Sequence, residues 1–409
     1  MHEVDPTGSP EHAPEVDVST LREVVETLAL IERPPCSPGE REAAGWLVER
    51  FGEAGCAEVK LEEEDGWGTF PPTISGLGII GTLGAALVMS GRRVLGTALG
   101  GAAVAGLVDE IQNGPHLLRR MVRRRQKTVN VIAVAGDPQA DRTLVVLAHH
   151  DAAQGGAIFD QSWAKAIYAR RPDIMEAGTK QVPQWWLGVA PGFLTLLAAL
   201  TGRRRPAQAG LVLSAIGTAA MLDILRRPTV PGANDNLSGV AVLVGMAEAL
   251  RERPGTGLRV ILASCGAEEA LQEGIRAFIA RHRDDLAPDR TWFLNFDTVG
   301  SQDLVMLEGE GPVWMEDYCD PSFRDLVASC ARSSDVPLER GIRARASTDS
   351  IIPSRSGYPT ATLVSLMPWR MPGNYHQMSD VPKNLNFHAL ASSVRLGLSV
   401  AEALRPSTS

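Results

Sequence analysis

The sequence lacks three things: a cysteine framework, a surplus of positive charge, and an amino terminus built for export. Its five cysteines (Cys36, Cys56, Cys265, Cys319 and Cys330) form no C-x-x-C pair and leave an odd count. That argues against a disulfide scaffold and fits a reducing compartment, where such residues serve as small buried side chains. With a formal charge of -8 and a pI near 5.6, the chain has no basic face for nucleic acid, and small molecules or peptides are the expected partners. The opening stretch MHEVDPTGSPEHAPEVD has neither a basic start nor an apolar core and does not read as a signal peptide. Residues 1–18 are expected to form a disordered tail, with Ser19 as N-cap of the helix TLREVVETLALIE.

What is present is enough apolar sequence for a large core: 409 residues, 44% of them hydrophobic. Short runs dense in Val, Ile and Leu predict buried strands at 128–134, 143–148, 258–264, 291–296 and 360–367. Helical patterns separate several of them, notably from 237 and from 275, and ALASSVRLGLSVAEALR makes a final helix. The alternation predicts an α/β fold with a mostly parallel or mixed central sheet covered by helices on both faces. Ligands in such sheets sit beyond the carboxyl ends of the strands.

Polar residues follow those strands repeatedly. His149, His150 and Asp151 end one run, Glu268 and Glu269 follow another, and Asp297 a third; Asp235 stands in a turn before a helix, and His376 in the loop after the last strand. One acid at a strand end commonly caps the next helix, and a lone histidine is usually a surface or core residue. Several on one rim, pairing two histidines with three or more carboxylates, form a nitrogen-and-oxygen set suited to zinc or a similar divalent ion.

These residues resemble the co-catalytic di-zinc aminopeptidase family, which also includes glutamate carboxypeptidase and glutaminyl cyclase. The matching blocks are AHHD, GANDNLSG, AEE followed by Gly274, NFD, and YHQMSD, in the family's order. The resemblance implies a zinc-exopeptidase-like three-layer sandwich holding two Zn²⁺, with cobalt or manganese able to use the same ligands. It makes Asp235 the bridging carboxylate, His149 and Asp297 the completion of one site, and Glu269 and His376 that of the other. Glu268 would be the general base, since a carboxylate already bound to metal is a poor proton acceptor. Asp151 would hold the His149 imidazole by its other nitrogen. His150 is expected to pack away from the site, and Asn236 and Ser238 to shape the turn. Asp349 matches an acidic position in the family's pocket-lining segment, although Ser350 stands where a histidine is common; Tyr375 is a further substrate-binding candidate, with Trp314, Tyr358 and Trp369 as possible walls. The implied substrate is a peptide or small amide cleaved at its amino-terminal residue.

Two insertions depart from a plain hydrolase. Apolar stretches at 75–91 and 94–108, and again at 185–202 and 209–225, each form a helix-turn-helix pair with a basic tip. Their lengths lie near the lower limit for crossing a bilayer, and Gly96 and Gly100 would let helices approach closely. The expected organisation is a discontinuous metallopeptidase domain (19–71, 112–183 and 227–405) with hairpins at 72–111 and 184–226. Membrane attachment through the hairpins is expected, with the RRMVRRRQK stretch against acidic headgroups and the catalytic domain on the cytoplasmic side by the distribution of arginines. The alternative is a soluble cytoplasmic protein whose helices cap the enzyme or a second copy of the chain. Rival functions are a glutaminyl-cyclase-like acyl transfer with a single zinc, and a non-catalytic membrane scaffold.

Overall fold

A computed structural model describes residues 16–176, 185–251 and 257–406. Most of the expected disordered tail, and the boundary set at 183, lie outside the described residues. The first helix, Val18–Leu28, begins one residue inside the expected tail, and Asp17 caps it by accepting the Ser19 backbone N–H at 2.8 Å. Ser19 is not the cap, because a carboxylate two residues earlier already takes that N–H and also the Ser19 hydroxyl.

The strands are β1 Glu58–Gly66, β2 Gln126–Gly136, β3 Thr143–His149, β4 Arg259–Cys265, β5 Thr291–Phe296, β6 Asp303–Glu310, β7 Glu316–Asp317, β8 Glu339–Ala344 and β9 Thr360–Leu366. They form one mixed sheet in the order β1-β2-β4-β3-β5-β9-β6-β7, with β8 on β6. The centre, β4-β3-β5-β9, is parallel, while β2 pairs antiparallel with β4, and β6 with β9. All five expected strands are there, buried through most of their length as the unbroken apolar runs required.

Helices cover both faces. On one side Val18–Leu28, Pro38–Glu53, Ser238–Arg251, Pro321–Ser333 and Phe387–Ala403 pack into the larger core. On the other, Ile275, Phe278 and Ile279 of the helix Glu273–His282 pack with Ile351 and Ile352 against Val145, Leu147 and Phe293. Because the parallel strands run the same way, their carboxyl ends share one rim, and β3, β4, β5 and β9 all deliver their following loops there.

The inserted segments form four long helices, Pro71–Met89, Arg93–Ile111, Trp186–Thr201 and Arg204–Ile224, which pack on one another as a bundle. Three of them are long and apolar enough to cross a membrane. Trp186–Thr201 is not among these: it has 16 residues, with Pro191 inside it. Backbone proximity holds the bundle together. A methyl added to Gly96 would stand 2.5 Å from the Gly84 carbonyl oxygen, and one added to Gly84 2.8 Å from that of Gly96, so only glycine permits this crossing. Outward, the bundle exposes Ile79, Leu83, Phe193, Leu197, Leu200, Val212 and Ile216. The RRMVRRRQK stretch is not a free basic patch. Arg119 is fully buried on Glu110, and Arg125 and Lys127 reach Asp65 at 3.1 and 3.0 Å.

Candidate metal centre

Each loop leaving the rim brings one part of a single cluster. His149 ends β3, with Nδ1 3.4 Å from Asp151 Oδ1 and Nε2 3.3 Å from Asp235 Oδ1. Asp235 stands in the kinked segment Ala233–Leu237 that opens the helix Ser238–Arg251. His376 Nε2 lies 3.1 Å from Asp235 Oδ2 and also 3.1 Å from Glu269 Oε1. Glu268 Oε2 lies 3.9 Å from His149 Nε2. Asp297, just past β5, opens onto the same cleft as Asp235, Glu268, Glu269 and His376.

A second tier of carboxylates fixes the backbone that carries these groups. Asp151 accepts the backbone N–H of both Glu268 and Glu269, each at 3.0 Å, as well as facing the His149 ring. Asp380 does the same for Asn234 and Asp235, at 2.8 and 3.1 Å. Glu40 accepts the Ala267 N–H at 2.7 Å and the Thr128 hydroxyl at 2.8 Å, anchoring the turn before Glu268. The side chain of Asn236 accepts from Gly239 and Thr298 and donates to the Phe296 carbonyl, joining the Asp235 turn to the Asp297 loop. Gly274 completes the fit: a methyl there would stand 2.0 Å from the Gly266 carbonyl oxygen. Several non-glycine residues here, Ala267, Leu271, Gln272, Thr298 and His376, hold left-handed backbone conformations. Such concentrated strain survives only where the surroundings over-determine the geometry.

The electrostatics describe a site short of positive charge. Burial, with Asp235 and Glu269 close by, pushes the Asp297 carboxyl up to about 7 despite His149. Burial also raises Glu268 well above the ordinary range, with Glu269 and Asp349 adding to it. The two histidines move the other way. Burial opposes their charge, yet Glu268, Asp151 and Asp235 hold His149 well above its usual value, and Glu269 with Asp235 brings His376 to about 10.

Divalent metal fits these residues. Asp235 Oδ2, Glu269 Oε1 and His376 Nε2 are buried without a hydrogen-bond partner, although they lie close together. Ligand atoms of His149, Asp235 and Glu269 all fall within 4.8 Å of one another, close enough for neighbouring bonds of about 2.0–2.2 Å to zinc, with Asp235 between the other two.

The other sequence candidates are placed as follows. Tyr375 lines the cleft and stacks on His376, with ring centres 3.9 Å apart. Asp349 is 1% exposed, with both carboxylate oxygens lacking hydrogen bonds; it interacts with Cys265 and is not among the cleft-lining residues. His150 is buried, its Nδ1 3.0 Å from Ser264 Oγ, and burial lowers it to about 4. Tyr358 is a core residue, and Trp314 and Trp369 do not line the cleft. The structure adds Asp380, Glu40 and the fully buried Arg33, which donates to the carbonyls of His150 and Gly232. Asp380 closes the quoted block YHQMSD, so only its role was missed; Glu40 and Arg33 carry no local signal.

The inserted bundle reaches this cleft too. Phe70, Ile111, Trp185, Met221 and Ile224, at the near ends of its four helices, line it opposite the acids.

Residues 205–401 match Peptidase family M28. No curated protein matches by sequence. Among solved structures, a glutaminyl cyclase from Bacteroides thetaiotaomicron bound to N-acetylhistamine is 14% identical, with TM-score 0.57, over 96% of this chain and 99% of that one. A leucine aminopeptidase precursor from the same organism is 13% identical, with TM-score 0.56, over 96% and 98%. A Zn-dependent exopeptidase from Parabacteroides distasonis is 13% identical, with TM-score 0.53, over 96% and 99%. Identities this low speak to the fold. The match to Peptidase family M28 covers 205–401, and the fold along nearly the whole chain is shared with solved aminopeptidase, exopeptidase and glutaminyl cyclase structures, with two apolar helical hairpins added.

Proposed function

We propose that the protein is a zinc-dependent, aminopeptidase-like exopeptidase that holds two ions and is attached to a membrane by its helical bundle. The observation that carries this is the convergence of His149, Asp235, Glu269 and His376 on common points, with Glu268 beside them. Asp235 would bridge, His149 and Asp297 would serve one ion, and Glu269 and His376 the other. Zinc bound there would polarise a scissile carbonyl and acidify water.

The chain's own residues do the rest. Glu268, raised by burial, is suited to take a proton from the attacking water and hand it to the leaving amine. Asp151 positions it through the backbone and also orients His149, so one side chain sets two parts of the site. Gln272 donates to Glu268 and limits its rotation. The apolar cleft above the acids suits an uncharged side chain at the cleaved residue.

The exposed leucines and isoleucines of the bundle support membrane attachment. The free thiols and the arginines flanking the bundle support a cytoplasmic catalytic domain. Metal analysis paired with a screen of aminoacyl amides at neutral pH tests the reading. About two zinc ions per chain with release of the amino-terminal residue is expected. A single ion with cyclisation of amino-terminal glutamine would replace it with the acyl-transfer reading, and full occupancy without turnover of any amide would favour a scaffold.

A further inference from the structure

Arg345 follows β8 directly and lines the same cleft as Asp235, Glu268, Glu269 and Asp297. Its neighbours in sequence are satisfied: Arg340 pairs with Glu308 at 2.9 Å and Asp325 at 2.6 Å, Arg343 with Asp317 at 2.6 Å, and Arg355 with Glu316 at 2.6 Å. Arg345 differs. Its Nε is buried with no hydrogen-bond partner, and among the described residues no carboxylate pairs with its guanidinium.

The polar groups near it make their bonds to other residues. Ser347 accepts from the Asn113 carboxamide at 2.9 Å, and Glu310 Oε2 is held by the Thr348 backbone N–H and hydroxyl at 3.1 Å each, while Glu310 Oε1 is buried without a hydrogen bond. Ala344, Ala346 and Pro312 complete the local wall. A partly buried guanidinium fork with an unsatisfied Nε is matched best by a planar, two-oxygen acceptor.

We propose that Arg345 receives the terminal carboxylate of the substrate, which makes the favoured substrates short peptides with a free carboxyl end. This rests on the peptidase reading above. The cleft then suits a zwitterion: its acids attract an ammonium and repel carboxylates, and Arg345 is the one arginine or lysine among the described residues that line it.

The test uses the full-length chain in detergent, loaded with zinc, and three substrates: Leu-Gly-Gly, its carboxamide, and leucine p-nitroanilide, which carries no anion. Arg345→Gln is expected to raise KM for Leu-Gly-Gly by about 10- to 100-fold, the range for a hydrogen bond to a charged group. KM for the amide and the anilide should stay within about twofold, and Arg345→Lys should recover part of the loss. Equal losses on all three substrates, or none on Leu-Gly-Gly, would overturn the assignment. A fourth substrate, Leu-Glu carboxamide, separates the chain end from an acidic side chain: a loss on it but not on Leu-Gly-Gly would overturn the chain-end carboxylate. Should the native protein hydrolyse none of them, the peptidase reading fails and calorimetry judges Arg345 alone. Leu-Gly-Gly must then bind the native protein more tightly than its amide does, and Arg345→Gln must abolish the difference; equal native affinities overturn the proposal.

Discussion

The acid-lined rim and the helical bundle are built from opposite materials. On the rim, acids are buried beside acids, and three of the candidate carboxylates stand on backbone amides held by another carboxylate: Asp151 under Glu268 and Glu269, Asp380 under Asp235. In the bundle, glycine meets glycine backbone, and apolar side chains face outward. The rim concentrates polar groups away from water and depends on geometry to keep them tolerable, whereas the bundle needs only closeness and an apolar exterior. The two regions meet at the cleft, and also in a buried joint where His116 faces Glu273 at 3.0 Å and Arg119 ties Glu110 to the Ala270 carbonyl.

If the rim works through one unligated acid, Glu268→Gln will retain bound zinc and lose about 10²- to 10⁴-fold in kcat. Retained zinc with unchanged kcat, by metal analysis and steady-state kinetics, would remove Glu268 as the base. Asp151→Asn tests the tier beneath. It keeps the volume, but one oxygen acceptor becomes an NH₂ facing either a backbone N–H or the ring of His149. Zinc affinity or activity should fall by about 10- to 100-fold, read by competition with a chelator; an effect under about twofold would mean that the amides of Glu268 and Glu269 need no carboxylate.

How far this contrast was legible in the sequence depends on what signalled it. The central strands announced themselves because strands buried on both faces must be apolar throughout, as β3 and β4 are. His149, Glu268, Glu269 and Asp297 stood out because they closely follow such runs, and Asp235 and His376 because they stand in polar blocks between elements. By contrast, β1, EVKLEEEDG, reads as loop: it carries Glu58, Glu62, Glu63, Glu64 and Asp65. It is an edge strand, and tertiary partners balance its charge: Arg281 on Glu64 at 2.6 Å, His282 on Glu62 at 2.9 Å and Lys127 on Asp65 at 3.0 Å. Charge pairing across 62 to 220 positions leaves no local trace. The same holds for Glu40 and Arg33, which act on loops distant in sequence. The hairpins were visible by hydropathy, but their helices extend past the apolar stretches, and only packing shows their ends lining the catalytic cleft.

The bundle's half of the comparison can be broken at one crossing. Gly96→Val places a branched side chain where a Cβ alone would stand 2.5 Å from the Gly84 carbonyl oxygen. The hairpin should open at a cost of about 1–3 kcal/mol, seen as a lowered unfolding midpoint in detergent, with zinc content unchanged. Zinc lost in parallel would mean that the two regions fold as one unit. A second change, Met221→Ala, trims the apolar wall of the cleft where Met221 also packs into the bundle's buried core. It should lower kcat/KM for leucine relative to alanine substrates by a factor of about 10 or less, as removal of a few methylene contacts does; an equal effect on both would deny the bundle a part in specificity.

The smallest effect expected lies at the joint itself. Burial lowers His116 to about 4, with Arg119 and Arg276 adding to the shift and Glu273 opposing it. In the unfolded chain the imidazole titrates near 6.5, so between about 6.5 and 4 the unfolded state binds the extra proton and stability falls with falling pH. Between pH 6.5 and 5.5 that loss is about 1 kcal/mol. His116→Asn suits the left-handed backbone at this position and can still donate to Glu273, but it cannot titrate. Denaturant unfolding at the two pH values should therefore show a smaller acid loss in the variant than in the native protein. An identical loss in both would mean that His116 takes up its proton as readily folded as unfolded, and that the joint between bundle and rim is open to water.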